Sequence, residues 1–239
     1  MEQNVEVLCI VQARLTSSRL PNKVFKTLGG KTIIELLYER LKMSKEIDKI
    51  VYAIPDNSDN EALYSFLKDR HIDVFRGSEL DVFDRFLQCG LKYNPSYIVR
   101  ATCDNPLMDW EIIDILVKRI KQTNADYCSI SGYPVGIVAR VFNFHTFCGI
   151  EKSTLLHLEI EHVTPVFYNH PNIYKVDIEN VSFDNFRLSV DTEEDYELMK
   201  HIYDDLYDGK PIRNEIVYDY LRSNPEISKI NSNIEQIKA

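Results

Sequence analysis

The stretch "VLCIVQARLTSSRLPNK", residues 7–23, decides the fold. Val7 to Val11 run without a polar residue, the composition of a strand covered on both faces in a parallel sheet, and a strand is expected from Val5 to Val11. The next twelve residues, Gln12 to Lys23, hold Arg14, Arg19 and Lys23 and no acid, although the 239-residue chain carries 37 acidic against 28 basic residues and a formal charge of -9. A cationic loop directly after the first buried strand is therefore an exception within an acidic chain. Its shortness suits a small anion.

The remaining composition narrows the class. A pI near 5.2 argues against nucleic-acid binding, since backbone phosphates need an extended basic face. The hydrophobic fraction of 44% and charged fraction of 27% are those of a globular protein, and no apolar run approaches the length of a membrane span. The opening "MEQNVEVLCIVQAR" has neither a basic leader nor a small-residue cleavage site, so a cytoplasmic chain is expected. Cys9, Cys89, Cys103, Cys128 and Cys148 stand singly, as reduced and mostly buried thiols do.

Outward from the first strand, short β-rich runs alternate with helical patterns. Thr32 to Glu35 reads as a capping box opening a helix, and "KIVYAI" (49–54) as the next strand. Ser58 to Glu61 and Ser78 to Asp81 read as further caps, "IDVFRG" and "SYIVRAT" as strands, and a helix is expected from Asp109. "ADYCSI", "GIVARVF", "IYKVDI" and "FRLSVD" follow as strand candidates, and Thr192 to Asp195 caps another helix. This βαβα succession predicts a doubly wound, mostly parallel sheet, with a small excursion over 133–180. With no repeat or linker, residues 1–225 read as one domain and 226–239 as a polar tail.

Several familiar signatures are absent. Gly30-Lys31-Thr32 ends like a P-loop, but Phe25 occupies the required first glycine, so a turn into a helix is the better reading. There is no Gly-x-Gly-x-x-Gly, no His-Glu-x-x-His or Cys/His grouping, and no glycine-flanked serine at Ser17 or Ser18.

In a doubly wound sheet, ligands bind beyond the carboxyl ends of the strands. Those ends carry Arg14, Arg19 and Lys23, then "FRGSELD" (75–81), then "TCDNP" (102–106), then "VDTEED" (190–195). Each piece has a plain alternative: exposed arginines, a turn-forming Asp104, a cap neighbour in Asp191. Their convergence on one edge favours cations for phosphates and two carboxylates for magnesium, the equipment of nucleotidyl transfer.

The same residues carry a family pattern. "IVQARLTSSRLPNKVFKTLGGKTIIELLYERL" resembles the opening of the acylneuraminate cytidylyltransferase superfamily, whose pattern is Ala-Arg-x-x-Ser-x-Arg-Leu-Pro-x-Lys. "VFRGSELDVFDRF", "IVRATCDNPLMD", "EIEHVTP" and "RLSVDTEEDYELM" resemble its spore-coat-polysaccharide branch, in order, from about Val7 to Tyr207. The resemblance implies a Rossmann-like three-layer α/β/α fold and transfer of CMP from CTP to a small-molecule acceptor, with pyrophosphate leaving, for a surface polysaccharide. It further implies that Arg14, Arg19 and Lys23 hold the triphosphate, with Gln12, Ala13, Ser18, Asp81, Arg100 and Thr102 among the nucleotide contacts. Arg76, Gly77 and Ser78 match the segment lining base and ribose, and Asp104 and Asp191 the Mg²⁺ ligands. Gly136, Arg140, Glu161 and His162 match the acceptor region, and a homodimer is implied, with no nucleic-acid or membrane partner.

The acceptor region departs from the branch. Where acids are usual in Gly-Leu-Asp-x-Glu-Val-Phe, this chain has Val138 and Arg140, which alternation puts on one strand face. An anionic acceptor held by Arg140 is expected, with Arg140 facing solvent or pairing with a nearby acid as the alternative. Use of another nucleotide, and loss of catalysis, remain open at this level.

Overall fold

The computed structural model describes residues 5–169, 173–179 and 185–235. In chain order the strands are β1 (Val7–Gln12), β2 (Thr27–Leu28), β3 (Lys31–Thr32), β4 (Lys49–Pro55), β5 (Val74–Gly77), β6 (Tyr97–Thr102), β7 (Tyr127–Ile130), β8 (Arg140–Asn143) and β9 (Lys175–Ile178). The helices are α1 (Ile33–Leu41), α2 (Glu61–Asp69), α3 (Val82–Tyr93), α4 (Trp110–Thr123), α5 (Phe144–Cys148), α6 (His157–His162), α7 (Pro165–Asn169), α8 (Glu193–Leu206), α9 (Asn214–Ser223) and α10 (Pro225–Ser228).

Seven strands form the central sheet in the order β5-β4-β1-β6-β8-β7-β9. β1 lies between β4 and β6, parallel to both, and Val7 to Val11 are all fully buried. The unbroken apolar run follows from alternation: Val7, Cys9 and Val11 face one core, Leu8 and Ile10 the other. The first core is closed by apolar faces of α1, α2, α4, α8 and α9, the second by α3, α5 and α7. The result is a Rossmann-like three-layer α/β/α arrangement. Each fully buried leucine or isoleucine of β1 contributes about 1.5–3 kcal/mol relative to exposure.

The parallel order breaks once, within the stretch expected as an excursion. β8 runs antiparallel between β6 and β7, whereas β7 and β9 are parallel. The strand expected at "FRLSVD" does not form. Residues 186–190 bond in turn to two different loops, Leu188 N to the Val135 carbonyl and Val190 N to that of Asp104, leaving one isolated bridge at Arg187.

Local signals explain the other boundaries. Thr32 and Glu35 form the reciprocal cap of α1. Gly29 and Gly30, at φ 55° and 84°, make the two-residue turn between β2 and β3, which accounts for the P-loop-like tripeptide. Asn57, rather than Ser58, caps the 3₁₀ turn before α2, and Asp81 is the cap of α3. Cys9, Cys89, Cys103 and Cys128 are buried thiols and Cys148 is an exposed one.

The polar tail expected from residue 226 is instead folded onto the body as far as it is described. α10 follows α9 directly, and Asn231 is 2% exposed. Among the described residues no helix is long and apolar enough to cross a membrane.

Candidate active site

The loop after β1 is pinned from below. Leu15, Leu20 and Val24 are buried, Leu15 N donates to the side chain of the buried Asn60, and Asn22 N donates to the Leu15 carbonyl. Arg14, Ser18 and Arg19 are thereby left exposed along the rim of a cavity of about 540 Å³. Gln12, Ala13, Arg14, Ser18, Arg19, Lys23, Arg100, Thr102, Asp104 and Asp191 all line it, as do Gly136, Glu161 and His162.

At its centre the Lys23 ammonium stands 2.7 Å from Asp104 Oδ2 and 2.8 Å from Asp191 Oδ1. Burial works against that ammonium, but the charges of Asp104 and Asp191 outweigh it and raise its pKa. Burial alone would favour neutral Asp191. Lys23, then Arg19 at 3.3 Å and Arg187 at 2.8 Å, bring its pKa below the usual value instead.

Both aspartates sit on fastened backbone. The carbonyls of Pro106, Leu107 and Met108, just past Asp104, accept from Tyr203, Asn214 and buried Arg40. Asp104 and Asp191 are tied together through the bond from Val190 N to the Asp104 carbonyl. Gly136 lets the 186–190 segment pass: its φ is 95°, and a Cβ there would stand 2.3 Å from the Leu188 carbonyl oxygen.

Arg76, Gly77, Ser78 and Asp81 do not line this cavity. Arg76 is taken by Asp56 and Glu61 at 2.8 and 2.9 Å and lies over the Tyr64 ring. The Gly77 carbonyl accepts from Asp56 N, Asp81 caps α3 and pairs with Lys152, and the Ser78 carbonyl accepts from Arg85. Acids distant in sequence neutralise Arg76, so its position after β5 does not make it a free cation.

A second cavity of about 500 Å³ adjoins the first, sharing Arg100, Thr102 and Asn105 and adding Val138, Arg140 and Tyr168. Arg100 and Arg140 are register partners across β6 and β8. Arg100 donates to Gln12 at 3.2 Å and its buried Nε has no partner among the described residues, while Arg140 reaches the Ala139 carbonyl at 3.3 Å. Among the described residues no carboxylate pairs with either. Burial, then the neighbouring Arg140, pushes Arg100 down to about 10. Burial also lowers His162, with Glu161 opposing and Arg100 and Arg14 adding to the fall.

Sequence reasoning missed four contributors. Arg187 and Ser189 both reach Asp191, Asn105 presents a buried, unpartnered Oδ1 where the cavities meet, and Asn60 holds the cationic loop. Arg187 sits four residues before Asp191, a spacing available as a clue; nothing along the chain marks Asn60.

Two carboxylates converging on one cation suit magnesium, which takes one or two carboxylates and completes its shell with substrate oxygens and water. Among the described residues no group of three or more His, Cys, Asp or Glu forms an all-protein cage.

A family model described as cytidylyltransferase matches residues 8–231. The chain is 37% identical over 240 residues to an uncharacterized protein of Methanocaldococcus jannaschii, covering 97% of each. It is 33% identical over 230 residues to the spore coat polysaccharide biosynthesis protein SpsF of Bacillus subtilis, covering 92% of this chain and 96% of that one. Among solved structures, a cytidylyltransferase from Leptospira borgpetersenii superposes with a TM-score of 0.85 at 27% identity, covering 98% of this chain and all of that one.

Proposed function

We infer the reaction from one established point: the chain belongs to the cytidylyltransferase family and is a CTP-dependent cytidylyltransferase. The reaction is transfer of CMP from CTP to a small acceptor, with release of pyrophosphate, in the making of a surface polysaccharide. The observation that carries this reading is the placement of Lys23 between Asp104 and Asp191 at the end of a cationic loop.

Arg14, Ser18, Arg19 and Lys23 hold the triphosphate. An acceptor oxygen attacks the α-phosphorus, the bond to the bridging oxygen of the leaving pyrophosphate breaks, and Lys23 and Arg19 neutralise the charge that builds there. Asp104 and Asp191 would hold Mg²⁺, which when bound supplies Lewis-acid neutralisation of phosphate oxygens.

The acceptor occupies the second cavity and is anionic, a carboxylate or a phosphorylated small molecule. Two adjacent guanidinium groups with no carboxylate partner among the described residues support this, since each gains a charge-assisted bond from such a ligand. The enzyme works in the cytoplasm, and as a homodimer; the dimer is supported by Leu158 and Tyr168, which line this cavity and are 40% and 50% exposed.

The test is pyrophosphate release with CTP, ATP, GTP and UTP across phosphorylated, carboxylated and neutral sugar acceptors. Release with CTP and an acidic acceptor is expected. Turnover with neutral acceptors alone would contradict the acceptor class, and equal use of all four nucleotides the cytidine selectivity.

A further inference from the structure

The carboxylate of Asp195 is fully buried and receives five hydrogen bonds. Arg187 donates two, at 2.9 and 3.1 Å, and the amides of Asp191 and Thr192 donate two more, at 2.9 and 3.1 Å. The fifth comes from Asn231 Nδ2, at 2.8 Å. The same nitrogen donates to the Arg187 carbonyl at 2.9 Å, so both of its protons are committed to one short piece of chain.

Arg187 also reaches forward. Its Nη2 donates to Asp191 Oδ2 at 2.8 Å, which leaves Oδ1 as the oxygen turned to Lys23 in the cavity. Arg187 thus helps to set the rotamer of Asp191, and Asp195 and Asn231 help to hold Arg187, the first at its guanidinium and the second at its carbonyl. A carboxylate serving as a metal ligand needs such an outer shell to fix which oxygen it presents.

We propose that Asn231, in the stretch whose composition reads as a polar tail, is a positioning residue for the Asp191 carboxylate, making the C-terminal segment a working part of the active site. This rests on Asp191 being a metal ligand. Asn231 is remote from substrate; its effect passes through Asp195 and Arg187. Without its amide, Asp195 loses one of its donors and the Arg187 carbonyl loses the Asn231 bond, so the Arg187–Asp195 pair, and with it the Asp191 oxygen that Arg187 places, is less firmly held.

The experiment is Mn²⁺ binding to the full-length protein, followed by the EPR signal of the free ion, with and without CTP. Asn231→Ala is expected to weaken Mn²⁺ binding at least five-fold and to raise the half-saturating Mg²⁺ for pyrophosphate release by a similar factor, with an unchanged circular dichroism spectrum. Should Asn231→Ala fail to fold, Asn231→Ser, which keeps a donor but cannot make both bonds, carries the same expectation. A folded variant that melts earlier yet binds Mn²⁺ as tightly as wild type makes Asn231 a packing residue and overturns the proposal. Wild-type protein that binds no Mn²⁺, even with CTP, removes the metal role of Asp191 itself, a separate failure.

Discussion

Lys23 Nζ lies 2.8 Å from Asp191 Oδ1, although 168 positions separate the two residues. The same ammonium holds Asp104, so one flexible cation keeps two carboxylates together where triphosphate and metal are proposed to bind. Ligand and metal must then compete with an existing ion pair, so removal of Lys23 acts in opposite directions on the two.

Lys23→Ala should weaken CTP binding and turnover severely, by about 2–4 kcal/mol in the transition state. It should at the same time bind Mg²⁺ more tightly than wild type in the absence of nucleotide, because the competing cation is gone. Isothermal titration of each ligand reads both; weaker Mg²⁺ binding would show that Lys23 does not stand in for the metal.

Arg140→Ala should raise the acceptor KM by roughly ten-fold or more, the loss of a charge-assisted bond worth about 1.5–3 kcal/mol, while leaving CTP affinity unchanged. Arg100→Ala should affect both substrates, since Arg100 lines both cavities and supports Gln12. Steady-state kinetics in each substrate separates them, and an unchanged acceptor KM in Arg140→Ala would leave that arginine without a role in recognition.

The edge of the sheet where these residues gather was legible because cations and acids that follow apolar strands stand out against them: Arg14, Arg19, Lys23, Asp104 and Asp191 needed only the βαβ pattern to be placed together. Arg76 followed the same rule and went elsewhere, since Asp56 and Glu61 neutralise it and no one-dimensional pattern shows such a pairing. Arg187 and Asn231 were hidden for a related reason. The 186–190 segment has the composition of a strand but bonds to loops, and 226–235 has the composition of a tail but holds a buried amide at Asn231. Long-range hydrogen bonds made those assignments, and they leave no periodicity.

Stability against acid should depend in part on Glu35. Burial raises its pKa, but Thr32 and Arg70 outweigh this and hold it below the usual glutamate value. A carboxyl whose pKa is lower in the folded state stabilises above its unfolded value of about 4.3, and that contribution disappears as pH falls through the folded value. Glu35→Gln should therefore cost about 1 kcal/mol at pH 7, the worth of a partly exposed cap and pair. The difference from wild type should shrink below about pH 4. Urea unfolding at pH 7 and at pH 3.5 measures it, and a constant difference would exclude Glu35 ionisation as the cause.

The cavity floored by Lys23, Asp104 and Asp191 is proposed to take CTP and a metal together. The most direct test is the melting temperature with Mg²⁺ and each of the four nucleoside triphosphates, in wild type, Asp104→Asn and Asp191→Asn. Binding to the native state raises the transition by mass action, about 2.7 kcal/mol at a ligand concentration a hundred times Kd. The largest shift is expected with CTP in wild type, and its Mg²⁺-dependent part, read against each variant's own unliganded transition, is expected to be lost in both variants. Equal shifts with all four nucleotides, or an Mg²⁺-dependent CTP shift surviving in both variants, would contradict the proposal.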